Sequence, residues 1–404
     1  MKNCKLENGI DLVYEHRTGK LTSFCIGFNA GALMEDKEEM GIAHVVEHML
    51  FKGTDTRNEF EINRLCDDIF GFNNAMTNFP YAIYYGTTLS EDFYRGFDIY
   101  SNIVKDPSFP EKGFKEEIDV ICEELKEWKE DNFQFCEDEL LYNAFKYRRI
   151  KYCIIGDENH IRSFSLDKVK DFYNRYYNPD NCVISVVSSL KYEEVLDIVQ
   201  NLMVHWNNDK TIVRNILYEK NSPGIFVKKK AGIEGAKIQF CFPIDKAEER
   251  EIAALNIFNN KFGRGTSSIL YDDIRTKKGL AYDVFSSIKN EKGIKLFTIA
   301  MGTSISNVNR AVEIINEHLD KIDSLNSLFS RDSIDTIIKS IKLKEELQLE
   351  KSIELCKTLT TNKIMHNKFD LFSSVYDKYR NIDSREITAA AKKLLKNPTI
   401  QILT

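Results

Sequence analysis

Two rhythms of apolar and polar residues run along this chain. Residues 10–14, after the Asn8-Gly9 turn, and residues 21–28 alternate with period two, which predicts half-buried strands. The 3.6-residue rhythm of amphipathic helices appears over residues 59–69, about 91–104, about 112–131, about 136–145, 166–176 and 191–203. In the strongly charged stretch 112–131 the apolar positions 114, 118, 121, 125 and 128 form one stripe. Residues 74–89 have β character, although Pro80 cannot occupy a regular central strand. Asn178-Pro179 then turns the chain into a strand at 182–187.

After about residue 210 the pattern returns. Residues 237–242 (KIQFCF) match the strand 22–28, and a helix over 249–262 matches the helical stretch 41–54, with Ile252-Ala253 falling on Ile42-Ala43. A strand at 295–302, helices over 306–322, 330–349, 353–366 and 386–395, and the ending Asn397-Pro398 into strand 399–403 complete the second copy. The fold class expected is therefore α+β: a tandem pair of homologous domains of ~200 residues, each a mostly antiparallel sheet packed with helices. The domains are expected over 1–209 and 219–404, with a polar linker within 207–223.

The stretch 41–54, GIAHVVEHMLFKGT, concentrates the candidate chemistry. On a helix, His44, Glu47 and His48 share one face with Phe51, while Ile42, Val45, Val46, Met49 and Leu50 take the other. His44 and His48 are one turn apart, so both imidazoles can address one metal ion, with Glu47 close enough to touch a water beside it. The order His-x-x-Glu-His inverts the commoner His-Glu-x-x-His but supplies the same parts. The second copy has Ala254, Ile257 and Phe258 at those places, so the metal chemistry belongs to one copy only.

Two histidines do not hold a catalytic zinc; a third protein ligand is needed. His16, His160, His205, His318 and His366 stand singly among turn or surface residues, so a carboxylate is the better candidate. Glu117 and Glu124 lie two turns apart on the helix 112–131, bordering its apolar stripe. Glu116, Glu127 and Glu130 read as a solvated face. Periodicity alone does not decide between Glu123 and Glu124.

Composition narrows the class. The chain has 404 residues, 43% of them hydrophobic, and a net charge of −6. It has no basic stripe, which argues against nucleic acid as a partner. The nine cysteines are scattered singly with no Cys-x-x-Cys pair, which suits reduced, mostly buried thiols. The N-terminus lacks an apolar signal core and no apolar run reaches the ~18 residues that span a bilayer, so a cytoplasmic location without membrane attachment is expected.

These residues resemble the pitrilysin/insulinase family of inverted-zincin metallopeptidases, in the short-subunit branch that includes the mitochondrial processing peptidases. Residues 41–54 match the family phrase Gly-x-Ala-His-x-x-Glu-His-x-x-Phe-Lys-Gly-Thr, and the resemblance extends over nearly the whole chain. It implies a pair of processing-peptidase-like domains and one Zn²⁺ per chain, bound by His44, His48 and Glu124. The last is picked out by the family's Val-[Ile/Val]-x-x-Glu context, here Val120-Ile121-Cys122-Glu123-Glu124. Glu117 matches a glutamate that supports the site. Residues 265–282, GTSSILYDDIRTKKGLAY, resemble the family segment whose arginine and tyrosine bind substrate and steady the oxyanion, here Arg275 and Tyr282. Asn74 and Ala75 match the edge strand that receives substrate. This chain departs from the pattern just beyond, with Pro80 and Ala82 where an acid and a threonine usually stand, which puts subsite specificity in question.

The resemblance and the residues together lead to the expectation of a zinc endopeptidase that cleaves unfolded peptides inside a closed chamber, with Glu47 as general base on a zinc-bound water. A homodimer is the expected assembly. The alternatives are the zinc subunit of a heteromeric processing enzyme paired with a paralogous chain, or a non-catalytic structural subunit.

Overall fold

The computed structural model describes residues 1–206, 214–369 and 377–404. Part of the expected linker, residues 207–213, lies outside the described residues. The chain forms two compact units, and neither is continuous in sequence. The first comprises Met1–Lys126, Cys153–Ile216 and Glu346–Asp370; the second comprises Glu127–Tyr152, Leu217–Glu345 and Leu371–Thr404. The expected boundaries 1–209 and 219–404 follow chain order, whereas each compact unit takes one helical segment from the other half of the chain.

In the first unit, strands β1 (Lys2–Lys5), β2 (Asp11–His16), β3 (Leu21–Phe28), β4 (Phe70–Thr77), β5 (Ala82–Leu89) and β6 (Cys182–Ser188) form a sheet in the order β1-β2-β6-β3-β5-β4. Only β2 and β6 run parallel; every other neighbouring pair is antiparallel. β6 is buried along its whole length, because both faces of the sheet are covered. The helix Ser352–His366 lies against β3 and β6. Gly27 permits that approach: a Cβ there would stand 2.3 Å from Thr360 Cγ2. Ser185 Oγ hydrogen-bonds the Cys356 carbonyl at 2.7 Å and Thr360 Oγ1 at 2.6 Å, which satisfies polar groups that the packing buries.

The second unit holds β7 (Gly224–Lys228), β8 (Ala236–Pro243), β9 (Asp283–Lys289), β10 (Leu296–Thr303) and β11 (Thr399–Leu403), in the order β7-β11-β8-β10-β9. Here too there is one parallel pair, β11 on β7, corresponding to β6 on β2, and the rest are antiparallel. The sequences β2-β6-β3-β5-β4 and β7-β11-β8-β10-β9 are thus the same topology twice, and the fold is the expected α+β pair of homologous domains. The helix Asn132–Ala144 packs against β11 and β8 of this sheet.

Three expectations change in detail. The helical stretch 41–54 is helical only over Ile42–Leu50, and the chain turns after it. Residues 74–89 are a hairpin, β4 to β5, with Pro80 in its connecting loop rather than in a strand, so β4 keeps its length. Strands β1, β7 and β9 are additional to those expected. The nine cysteines are free thiols, and among the described residues no helix is long and apolar enough to cross a membrane.

Candidate metal centre

The helix Ile42–Leu50, here α1, is held at its N-terminus and along its apolar face. Gly41 takes φ +98° at its N-cap, and a Cβ there would stand 2.1 Å from the Ile155 carbonyl oxygen, so only glycine fits. The buried Glu35 carboxylate accepts from Gly41 N at 3.1 Å and Ala43 N at 3.0 Å. It thereby satisfies two orphan donors and places a negative charge at the positive end of the helix dipole. Ile42, Val45, Val46, Met49 and Leu50 are fully buried. The apolar face fixes the helix, and the opposite face carries His44, Glu47 and His48.

α2 (Glu59–Ile69) precedes β4, α3 (Phe93–Lys105) follows β5, and α4 (Phe114–Glu130) then brings the carboxylates. α4 buries Ile118, Ile121 and Leu125 of the expected stripe, together with Cys122, and leaves Phe114 and Trp128 half-buried, which turns Glu117 and Glu124 towards α1. Glu123 points away and pairs with Lys126 at 2.7 Å. The Glu124 carboxylate lies 3.7 Å from His44 Nε2 and 3.4 Å from His48 Nε2. One ligand atom from each of the three residues lies within 4.8 Å of the others. Around a tetrahedral zinc with bonds of about 2.0–2.1 Å, donors stand about 3.3 Å apart, so this donor set fits the ion with small side-chain movements.

The surrounding groups aim these donors. His48 Nδ1 lies 2.7 Å from Glu117 Oε1, an arrangement that directs a proton to Nδ1 and leaves the Nε2 lone pair for a cation. Lys52 forms an ion pair with the other Glu117 oxygen and reaches Glu59 at 2.8 Å. Glu47, half-buried beside the histidines, accepts a hydrogen bond from Thr77 Oγ1 at 2.5 Å. The His44 and His48 rings stand 4.5 Å apart, centroid to centroid, in an edge-on contact. His44 Nδ1 is buried without a hydrogen-bond partner among the described residues.

Electrostatics follow from this crowding of acids and imidazoles. Burial, and then the neighbouring His48, push His44 below the usual imidazole range, so it is held neutral as a ligand must be. Burial works the same way on His48, but Glu117 and Glu124 outweigh it and raise this imidazole to about 9. Glu124 is held below its ordinary value chiefly by its hydrogen bond to His48. Burial raises Glu117, yet His48 and Lys52 outweigh it and leave this carboxyl low. Burial raises Glu47, against the lowering pull of Thr77 and His48. The two carboxylates flanking His48 thus favour a positive charge at the place where the three donors converge.

The other expected residues sit elsewhere on the framework. Asn74 and Ala75 lie in β4, the outermost strand of the first sheet, opposite Tyr85 and Tyr84 of β5. Asn74 Oδ1 accepts from Ala75 N at 2.8 Å. Arg275 and Tyr282 belong to the second unit. Arg275 is exposed in the π-helical turn Tyr271–Lys277, its guanidinium 4.8 Å from the Tyr271 ring centroid. Tyr282 is 69% exposed, and its backbone N–H donates to the Gly302 carbonyl. Ala254, Ile257 and Phe258, which replace the metal residues in the second copy, are buried in that unit's core.

Sequence reasoning missed three supporting residues. Lys52 lies inside the matched phrase but one turn past the ligands, where only its contact with Glu117 reveals a purpose. Thr77 stands in the Asn-Ala-x-Thr pattern of β4, far from the helix in sequence. Glu35 opens an acidic loop ahead of α1, and an acid before an apolar helix is a readable capping signal.

The family described as Insulinase (Peptidase family M16) matches residues 12–158, and the related family Peptidase M16 inactive domain matches residues 163–340. The chain is 28% identical over 371 residues to an uncharacterised zinc protease of Bacillus subtilis, covering 91% of this chain and 87% of that one. It is also 28% identical over 222 residues to a probable mitochondrial-processing peptidase subunit beta of Arabidopsis thaliana, which covers 55% of this chain and 41% of that protein. The crystal structure of a protease from Helicobacter pylori superposes with a TM-score of 0.87 at 20% identity, covering 100% of this chain and 99% of that one. The matched families span both homologous domains, and the chain belongs to the insulinase/pitrilysin (M16) family of peptidases.

Proposed function

We propose that the chain is a zinc-dependent endopeptidase acting on unfolded peptides. The convergence of His44 Nε2, His48 Nε2 and the Glu124 carboxylate, with half-buried Glu47 on the same helix, is the observation that carries this reading. His44, His48 and Glu124 would hold a zinc ion, which supplies Lewis acidity by lowering the pKa of water and polarising a carbonyl. Glu47 takes the proton from the attacking water, with Thr77 Oγ1 holding its Oε2 in place. Burial, by raising the affinity of Glu47 for a proton, suits it to that role. Glu117 keeps the His48 ring in one orientation, and Lys52 keeps Glu117 charged.

Substrate adds as a further strand along β4, with Asn74 and Ala75 on the receiving edge, so that backbone hydrogen bonds supply affinity independent of sequence. Such binding selects chains that can be drawn out straight. Arg275 and Tyr282 bind substrate, and Tyr282 donates to the oxyanion. Their exposure supports this role, because neither side chain is spent on core packing. Mass-spectrometric digestion of an unstructured peptide tests the reading: the wild-type chain cuts, cutting stops with a chelator, and Glu47→Gln does not cut.

A second reading has this chain as the zinc-bearing subunit of a heteromeric processing peptidase, because one relative is a subunit beta. Cleavage by the purified chain alone, eluting from gel filtration as a homodimer, favours the first reading; zinc binding without cleavage favours the second.

A further inference from the structure

The second unit contains a cavity of about 580 Å³ that plays no part in the proposed metal chemistry. One wall is a face of the helix Arg331–Leu349. Ser333, Thr336, Ser340 and Lys344 follow one another at three- and four-residue steps and so form a single stripe. Ile334 and Ile341 of the same helix are buried in the unit's core and fix its rotation, which leaves the polar stripe bordering the cavity. The other wall is the end of the helix Glu249–Phe262, carrying Lys261, and the loop beyond it with Arg264, Thr266 and Ser267. Gly265 in that loop has φ +92°, and open space stands where its side chain would be.

The lining is unbalanced in charge. Lys261, Arg264 and Lys344 make no ion pair among the described residues, whereas nearby Arg250, Lys277 and Lys278 each hold a carboxylate. The lining has one acid, Asp332, in the first turn of its helix, where the helix dipole stabilises it. Beside the loop, Ser268 is 1% exposed and its Oγ has no hydrogen-bond partner among the described residues. A metal cation is a poor occupant, since three positive charges oppose it and one carboxylate cannot hold it. An apolar ligand is equally poor, because Ile337 is the one large apolar side chain in the lining.

We propose that this cavity binds a phosphate-bearing small molecule with two or more negative charges. A guanidinium grips phosphate oxygens in pairs, lysines add point charges, and the five hydroxyls of the lining donate to the remaining oxygens. The volume lies within the usual range for small-molecule sites. This site lies within the second unit and does not depend on the peptidase reading.

Isothermal titration of the full chain with inorganic triphosphate at about 150 mM salt tests the proposal. One saturable site is expected, with affinity reduced at least tenfold in Arg264→Gln and in Lys344→Gln. Both side chains are exposed, so both variants should fold, and their circular dichroism should match the wild type. Lys396→Gln, an exposed lysine outside the cavity, should bind as the wild type does. Absence of saturable binding, or equal affinity in Arg264→Gln, overturns the site. Citrate binding as tightly as triphosphate overturns the phosphate assignment.

Discussion

Thr77 Oγ1 donates a hydrogen bond of 2.5 Å to Glu47 Oε2, joining the last residue of the edge strand β4 to the half-buried carboxylate of α1. One hydroxyl therefore ties the strand proposed to receive substrate to the group proposed to take the proton. Removing it leaves a half-buried carboxylate oxygen without its side-chain donor, a loss of about 1 kcal/mol. Thr77→Val should lower kcat about tenfold or more, with zinc content and KM little changed. Thr77→Ser, which keeps the hydroxyl, should restore most of the rate. A loss of zinc in Thr77→Val would contradict a positioning role.

Glu117 orients His48 without being a ligand itself. Outer-shell partners of this kind typically contribute 10–100-fold to metal affinity. Glu117→Gln should release zinc to a competing chelator at about that much lower chelator concentration, and Lys52→Met should show a smaller change in the same direction.

Gly41 combines a left-handed backbone with a carbonyl oxygen 2.1 Å from where a Cβ would stand. The neighbour is backbone and cannot swing away. Gly41→Ala should therefore destabilise the chain by about 2 kcal/mol or more in urea unfolding. Gly19→Ala, with φ +141° but nothing within 4 Å, should cost clearly less.

Asp138, in the second unit, supplies a pH dependence of its own. Burial raises its carboxyl to about 6, despite hydrogen bonds from Trp128 Nε1 at 2.9 Å and Gln134 Nε2 at 3.2 Å. The folded state thus holds a proton that the unfolded chain loses near pH 4. Its contribution to stability is complete below the unfolded value and is lost as pH rises through about 6. Asp138→Asn, which cannot ionise, should gain about 1 kcal/mol relative to the wild type between pH 5 and pH 7.5. An equal difference at both values would contradict the raised carboxyl.

Much of this architecture could be read from residue patterns, and the exceptions have physical causes. The apolar spacing in α4 gave its rotation correctly, from Ile118 to Leu125, because amphipathic helices report which face is buried. Strand β6 and its counterpart β11 were both legible from Asn-Pro turns followed by β-branched residues. The short polar strand β1 and the exposed strand β7 were not, since neither buries enough side chain to impose a pattern. The exchange of helical segments between the two units is invisible in sequence for a different reason. Asn132–Ala144 and Ser352–His366 have ordinary helical character, and nothing local states which sheet they cover. At the candidate metal centre, the His44/Glu47/His48 face followed from helical spacing alone. The separation of Glu124 from Glu123 needed either the family pattern or the direction of the side chains in space.

The most direct test is zinc stoichiometry by plasma mass spectrometry on the purified wild type, Glu47→Gln and Glu124→Ala, with peptide cleavage measured on the same samples. The account predicts about one zinc per chain in the wild type and in Glu47→Gln, cleavage in the wild type only, and loss of both zinc and cleavage in Glu124→Ala. A wild-type chain without zinc, or a Glu47→Gln chain that still cuts peptides, would contradict it.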